Sequence, residues 1–556
     1  MAFNIPTPLL LVFSAALQAA VLLAVAPQYS PVDGFNLAFL CFALINFASW
    51  FFYLLFIYPN FLSPLRDLPN APGAYPIIGH ALSQFKPPRG ADYQRWTREI
   101  PNDGLIRLRG FMEGDTVLVT GPKALAEILV TRSYEFPKAD RDRVFLRRLI
   151  GDGLVAAEGD QHKHQRKHSM PSFAFRQIKL LYTLFWEKSV KMTQVIDAEA
   201  FGPESGHGGA ESLPPGAVDI EYYAPKTTLD IIGVAGLGRD FNTLGNSDDE
   251  MVKIYEELVH PSVGRQIHAA VSLLGSSELA SLLCRPVARE YDMLNAQLRL
   301  ICRQFVREKR ERMKDSQDQA IDTLASLIKS DVFSDEELVD QLLTIIAAGH
   351  ETTSSSFTWV TYLLALHPDI QSRLRAEIQA AIPNGFSPTN SEDTSIASVL
   401  ESLPLLNGVC SESLRVLPAV PVTMRTTKRD TTVIGHLVAA GTRFIMSPWA
   451  VNNDPELWGP DAHEFKPERW IDLETGKPNQ TGGASTNYAT LTFLHGQRSC
   501  IGQNFARAEL RAMVAAFAGA FEWALLNPNE KVVPAGVITS KPRDGLKVTL
   551  KRVKSW

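Results

Sequence analysis

A chain of 556 residues, 45% hydrophobic and 21% charged, has the composition of a folded protein with a sizeable core. Its 55 basic and 60 acidic side chains leave a net charge of −5, close to balance, so nothing global points to nucleic acid as a partner. Five cysteines (Cys41, Cys284, Cys302, Cys410, Cys500) are scattered without a CxxC pair, which argues against a disulfide framework or a zinc knuckle and for reduced thiols facing the cytosol.

The first 65 residues hold a single charged side chain, Asp33. Residues 9–26 would form a helix about 27 Å long, against a hydrocarbon core of roughly 30 Å. Residues 35–58 are longer and mass aromatics at their carboxyl end, as at a membrane interface. No basic n-region marks a cleaved signal peptide. Residues 1–60 therefore read as a membrane anchor of one or two transmembrane helices. Arg66 is the first basic residue, and positive residues favour the cytoplasmic side, which places the remainder in the cytosol. Prolines at 69, 72 and 76 make residues 61–80 a stiff hinge, and residues 81–556 follow as one domain.

From about residue 90 to 525 the apolar spacing is mainly helical, and strand-like pieces such as 116–120 and 546–550 are short, so the class is mainly α with small β-sheets. Residues 202–217, 382–395 and 474–487 read as surface loops. One helix stands out. "SDEE" at 334–337 has the capping-box pattern, and apolar residues at Leu338, Leu342, Ile345, Ile346, Phe357, Val360 and Leu364 carry the helix to His367-Pro368, about 48 Å in all. Its middle, "AAGHETTSSS" (347–356), combines a helix-weakening Gly349 with hydroxyls able to bond back to the preceding turn. Two readings stand: two helices with a loop between, or one distorted helix facing a ligand.

Toward the carboxyl end, "FLHGQRSCIG" (493–502) places Cys500 before a helical stripe of Ala506, Leu510, Met513, Val514, Phe517 and Phe521. A cysteine at a helix amino terminus has free N–H groups and the positive dipole end to favour a thiolate, which is a metal ligand. Gly496 and Gly502 permit a tight turn and the close approach of something flat, and Arg498 could neutralise an anion on it.

Phe493, Gly496, Arg498, Cys500 and Gly502 together resemble the haem-binding signature of the cytochrome P-450 family. Glu412 and Arg415, at i and i+3, resemble its ExxR element, and "FKPERW" (465–470) resembles the segment whose arginine, here Arg469, joins that pair in a structural polar cluster. Ala348, Gly349, Glu351 and Thr352 are similar to the family's oxygen-activation motif, in which Glu351 and Thr352 would be catalytic and deliver protons. "GDQHKHQR" (159–166) resembles the helix that reaches a haem propionate, through His162 and Arg166, and Arg425 is a further propionate candidate. The basic run 162–168, with Arg498, resembles a docking face for an acidic flavoprotein.

The resemblance covers roughly residues 60–550. It implies the cytochrome P-450 fold behind an N-terminal transmembrane anchor, haem b with Cys500 as axial thiolate ligand of the iron, and a monooxygenase that inserts one oxygen atom from dioxygen into an apolar organic substrate. It further implies electrons from NADPH through NADPH-cytochrome P-450 reductase and a catalytic domain facing the cytosol from the endoplasmic reticulum. The implied substrate pocket is lined near Thr344, Ala348 and Thr352, at 419–422 and at 537–539. The long polar insertions resemble those of fungal members that serve secondary metabolism. Two rivals are a haem-thiolate isomerase or dehydratase acting on a hydroperoxide, and a non-catalytic haem-binding sensor.

Overall fold

The computed structural model describes residues 7–30, 34–202, 213–245, 248–259, 262–275, 277–314, 322–383, 395–536 and 538–553. Most of the two loops expected at 202–217 and 382–395, and Val537, lie outside them.

Two apolar helices, Thr7–Val25 and Phe35–Phe52, pack against each other, and the second continues through wider turns to Leu62. Both are long and apolar enough to cross a membrane. The Asn46 amide, in a mostly apolar helix, donates to Gln18 Oε1 at 2.9 Å. Pairing two polar groups across the hairpin avoids the cost of leaving either unsatisfied in an apolar medium.

The proline-rich segment that follows is not a free spacer. Its backbone pairs with the first strand, Ala71 N–H donating to Arg107 O (3.0 Å) and Arg107 N–H to Pro69 O (2.8 Å). Prolines spare it from needing every ladder bond, so it lies along a sheet edge. That sheet has four strands in the order Leu105–Arg109, Asp115–Val119, Arg443–Met446, Thr423–Thr426. The first pair is antiparallel (Leu105 opposite Val119); the inner pair is parallel (Thr116 opposite Arg443). A second sheet joins Ala217–Asp219, Lys547–Arg552 and Phe521–Leu525, all antiparallel.

Everything else is built around one rod. Asp335–Leu366 runs as a single α-helix of 32 residues, so neither a loop nor a break divides it at Gly349. Ser334 caps it with the reciprocal box: its hydroxyl accepts from Glu337 N–H (3.3 Å), and Glu337 Oε2 accepts from Ser334 N–H (2.9 Å). The hydroxyls do bond back along the helix, Thr352 to Ala348 O (2.7 Å), Ser356 to Thr352 O (2.8 Å) and Thr358 to Ser354 O (3.0 Å), which lets polar side chains sit in a buried helix. Gly349 has a packing reason. A Cβ there would come within 2.8 Å of Ile232 Cδ1, so its absence lets the central helix press against Ile220–Ile232. Gln503–Ala520 also packs against the central helix, and Phe175–Phe201 packs in turn against Gln503–Ala520.

Candidate active site

Cys500 lies two residues before Gly502, which caps Gln503–Ala520, and its N–H donates to Phe493 O at 2.8 Å. Phe493 stacks beneath the Arg507 guanidinium, 5.4 Å from the ring centre. Arg166 grips the same loop, donating from Nη1 to Ser499 O (2.6 Å) and from Nη2 to Ser499 Oγ (3.2 Å). Gly496 has φ +74°, and a Cβ would strike Leu129 O at 2.2 Å. Its requirement is thus a turn against neighbouring backbone, not room for a ligand. Gly502 differs, since a Cβ there would meet only Cys500 Sγ, at 3.9 Å, and otherwise open space.

Cys500 is exposed, yet protein encloses it on nearly all sides, which makes it the wall of an internal cavity. Burial raises the thiol above the ordinary cysteine range, against the lowering influence of the Gly502 N–H and of Arg166. The helix terminus alone therefore does not make a thiolate here, and a bound cation must complete that task.

On the central helix, Ala348 is exposed and Glu351 and Thr352 are half-buried, although their neighbours Thr353 to Val360 are buried. This stretch opens onto a cavity. Glu351 Oε1 is held by Lys541 Nζ at 3.3 Å, a partner from the far end of the chain. Thr344, expected at the pocket, is instead buried with its hydroxyl donating to Ile150 O (3.0 Å). Ile538 projects, 40% exposed, while Ala419 and Val422 are buried.

A third wall is cationic. Arg498, Arg425 and His162 are all buried, and Lys138, which no sequence pattern marked, joins them. Glu158 is the acid among them. It accepts a short bond from Arg498 Nη2 and lies 3.9 Å from Lys138 Nζ. Arg498 Nε and Nη1 are buried with no acceptor among the described residues. Arg425 Nη1 donates to Met424 O (2.7 Å) and Thr423 Oγ1 (3.2 Å). His162 pairs with the Tyr134 hydroxyl at 3.1 Å.

Burial, and then the neighbouring cations, push three of these groups toward their neutral forms: Lys138 to about 7, Arg425 to about 10 and His162 to about 4. A buried cluster of this kind is short of negative charge and would accept an anion. The run 162–168 divides on this helix: His162 faces inward, Lys163, His164 and Lys167 outward, and Arg498 is too deeply buried to join an outer docking face.

The structure brings Glu412, Arg415 and Arg469 together behind the cysteine loop, with Glu412 and Arg415 wholly buried. Arg415 uses all five N–H donors. Nε and Nη2 fork onto Glu412 (both 2.8 Å), and the rest reach Asn452 O, Ala462 O and Glu464 O at 2.6–3.0 Å. Glu412 also accepts from Lys466 N, Arg469 Nε and Trp470 Nε1. Asn452, missed in the sequence, carries the connection onward: its amide donates to Arg415 O (3.1 Å) and Thr492 Oγ1 (2.9 Å), and its oxygen accepts from Leu491 N (2.7 Å). Residues 491–492 lead directly to the cysteine loop.

Glu509 was also missed, although a carboxylate set in the apolar stripe beside Leu510 is a readable signal. It is wholly buried on Gln503–Ala520, and neither oxygen has a well-formed hydrogen bond among the described residues. Burial pushes it up to about 8, with only the Thr353 hydroxyl acting to lower it. An acid raised in the fold contributes stability that is complete below its unfolded pKa and is lost as pH rises through the folded value. Relative to Glu509→Gln, the native protein should therefore lose stability between pH 4.5 and about 8, on the order of 1.4 kcal/mol per pH unit. Thermal unfolding of both proteins across that range checks this; parallel profiles would show that Glu509 is ionised throughout.

A helical body with an enclosed cavity, a cysteine on one wall and an anion-seeking cluster on another defines the class of haem-thiolate proteins. The chain belongs to the cytochrome P450 family, whose model (Cytochrome P450) matches residues 69–548. It is 39% identical over 504 residues to the cytochrome P450 monooxygenase ptmK of Penicillium ochrochloron, covering 91% of this chain and 97% of that protein. To the cytochrome P450 monooxygenase sphH of Aspergillus fumigatus it is 38% identical over 509 residues, covering 91% of each. Its fold is that of the cytochrome P450DA heme domain in its crystal structure, with a TM-score of 0.69, 20% identity, and coverage of 88% of this chain and 98% of that one.

The protein is thus an oxidoreductase, a haem-thiolate monooxygenase with fungal relatives. Its family binds haem through a cysteine thiolate on iron, uses redox partners and acts on hydrophobic substrates. These relatives give no support to the isomerase or the sensor reading.

Proposed function

We propose that Cys500 would hold the haem iron as its thiolate ligand and that Arg498, Arg425 and His162, with Lys138, would hold the two haem propionates. The observation that carries this is Arg498: a buried guanidinium two residues from the cysteine, with two nitrogens lacking an acceptor among the described residues. The haem, when bound, supplies dioxygen activation and the insertion of one oxygen atom into the substrate. Arg166 positions the cysteine loop through Ser499, and the Glu412, Arg415 and Arg469 cluster supports that loop from behind. Gly502 leaves the space over the sulfur open.

Thr352 and Glu351 stand where the central helix opens to the cavity and move protons into it. The Thr352 hydroxyl, now donating to Ala348 O, can turn to donate inward, and Glu351 exchanges protons with the outside past Lys541. The exposed Ala348 and Ile538 line an apolar approach that suits an apolar organic substrate.

The division of the chain is residues 1–60 as anchor, 61–80 as the connector laid along the sheet, and 81–556 as catalytic domain. The anchor suits the endoplasmic reticulum, with the catalytic domain in the cytosol. Electrons come from NADPH through NADPH-cytochrome P-450 reductase, which docks near the outward-facing Lys163 and Lys167. A fungal secondary-metabolite pathway is the setting that the insertions suggest.

Thr352→Ala tests the reaction. With reductase and a turned-over substrate, it should keep haem and substrate binding while diverting most reducing equivalents to hydrogen peroxide, a loss of product of about a hundredfold, at the lower end of the 10²–10⁴-fold that a positioned proton donor contributes. Unchanged coupling between NADPH consumed and product formed would remove that role.

A further inference from the structure

The second apolar helix passes into the catalytic domain without a free linker. Its wider turns end at Leu62, and Ser63, Leu65 and Leu68 are already buried, the two leucines in one core cluster with Leu105, Val117 and Val119 of the four-stranded sheet. Ser63 N–H donates to Tyr58 O (2.8 Å), Leu65 N–H to Ser63 Oγ (3.2 Å) and Ala71 N–H to Arg107 O (3.0 Å). Composition alone makes residues 61–80 a hinge, but the chain is taken into the core within three residues of the helix.

One carboxylate gathers the junction. Asp115, the first residue of the second strand, accepts from the Tyr58 hydroxyl at Oδ2 and from the Ser63 hydroxyl at Oδ1, both at 2.8 Å. Arg107 Nη2 donates to Asp115 Oδ1 at 3.3 Å and to Pro59 O at 2.9 Å. The Arg107 and Asp115 side chains are only 4% and 5% exposed, so these charge-assisted bonds are shielded from water and hold more firmly than they would on an open surface. Two neighbouring strands thus grip the last turns of the helix.

The apolar run Phe35–Leu62 has 28 residues, about 42 Å as a helix, against a hydrocarbon core of roughly 30 Å. A span with such an excess either tilts or lets its end emerge, and the outcome is set by what the helix packs against. Here the packing partner is the protein's own sheet, at the end that carries Tyr58.

We propose that Tyr58, Ser63, Asp115 and Arg107 make the second helix and the catalytic domain one rigid body, so that the domain meets the lipid bilayer in a single orientation, with this end of the four-stranded sheet against the headgroups. This rests on the reading of the amino end as a membrane anchor. For the domain to swing, Asp115 would have to give up two hydroxyl donors and Leu65 would have to leave the core, and both changes are unfavourable. A fixed orientation also fixes the cavity relative to the bilayer, the medium in which an apolar substrate concentrates.

The sample for the test is the full-length, haem-loaded chain in phosphatidylcholine vesicles, and the reading is the decay of polarised absorbance after flash photolysis of its carbon monoxide complex. The native protein should show only the slow rotation of the whole body. Tyr58→Phe combined with Ser63→Ala removes both hydroxyl donors and leaves the buried Arg107 and Asp115 pair in place. It should add a component at least about tenfold faster, since a freed domain moves on a shorter timescale than the rigid whole. Tyr58→Phe alone is the milder variant and should show the same component at smaller amplitude. A fast component in the native protein, or a double variant that decays as the native does, would overturn the rigid junction. Vesicle flotation keeps the two readings apart: native protein that does not float overturns the anchor, whereas native protein that floats and swings overturns the junction alone.

Discussion

Cys500→Ser is expected to abolish monooxygenation while leaving the fold intact. The serine hydroxyl is isosteric enough to keep the Phe493 and Gly502 contacts of the loop, but it is far less acidic than a thiol and donates much less electron density. Turnover should fall by at least about a hundredfold, a loss on the order of 3 kcal/mol of transition-state stabilisation. The decisive measurement is absorbance after dithionite reduction and carbon monoxide addition. The native protein should show the red-shifted Soret band of thiolate ligation, and the variant should lose it. A native band typical of histidine ligation, unchanged by the substitution, would remove Cys500 from the site. Burial raises the Cys500 thiol in the protein alone, so thiolate formation is coupled to loading, and haem uptake should release a proton.

The second large effect lies behind the loop. Arg415→Ala should cost about 3–5 kcal/mol, because it leaves Glu412 charged and wholly buried with part of its donor set gone, and strands three backbone carbonyls. Arg415→Lys should recover little of this. An ammonium has three donors and no planar fork, whereas five acceptors in fixed directions surround the guanidinium, which also stacks 4.8 Å from the Trp458 ring centre. The readouts are thermal unfolding and haem content per chain. Full rescue by lysine would mean that the site needs only a positive charge. Because Asn452 ties Arg415 O to Leu491 and Thr492, the expected loss includes haem retention as well as stability.

Much of this was legible beforehand because local chemistry carries it. The capping box at Ser334 and Glu337, the apolar stripe on Asp335–Leu366 and the stop at His367-Pro368 are short-range signals, and the helix has those limits. Two apolar helices at the amino end follow from composition alone. The serine and threonine cluster suggested distortion, but its hydroxyls return to helix carbonyls within one unbroken helix, and Gly349 answers to Ile232 across the packing.

What escaped was non-local. Lys138, Glu158 and Tyr134 lie outside any motif, and their meaning comes from Arg498, more than three hundred residues away, being buried beside them without enough acceptors among the described residues. Lys541 reaches Glu351 only because the last strands fold back over the central helix. The proline-rich connector read as a hinge by composition, yet Arg107 supplies the backbone partners that lay it on the sheet.

The amino-acid order by itself determined the family, the central helix with its cap and stop, the apolar anchor helices and the cysteine loop, since each depends on spacing within a few turns of chain. Tertiary structure alone decided which basic side chains turn inward, how the Glu412 and Arg415 pair is wired to the loop, and that the second apolar helix is welded to the sheet at Asp115. Burial, which sets the cost of an unpaired charge and so the preference for a ligand, is a property of the packed chain and of no single stretch of it.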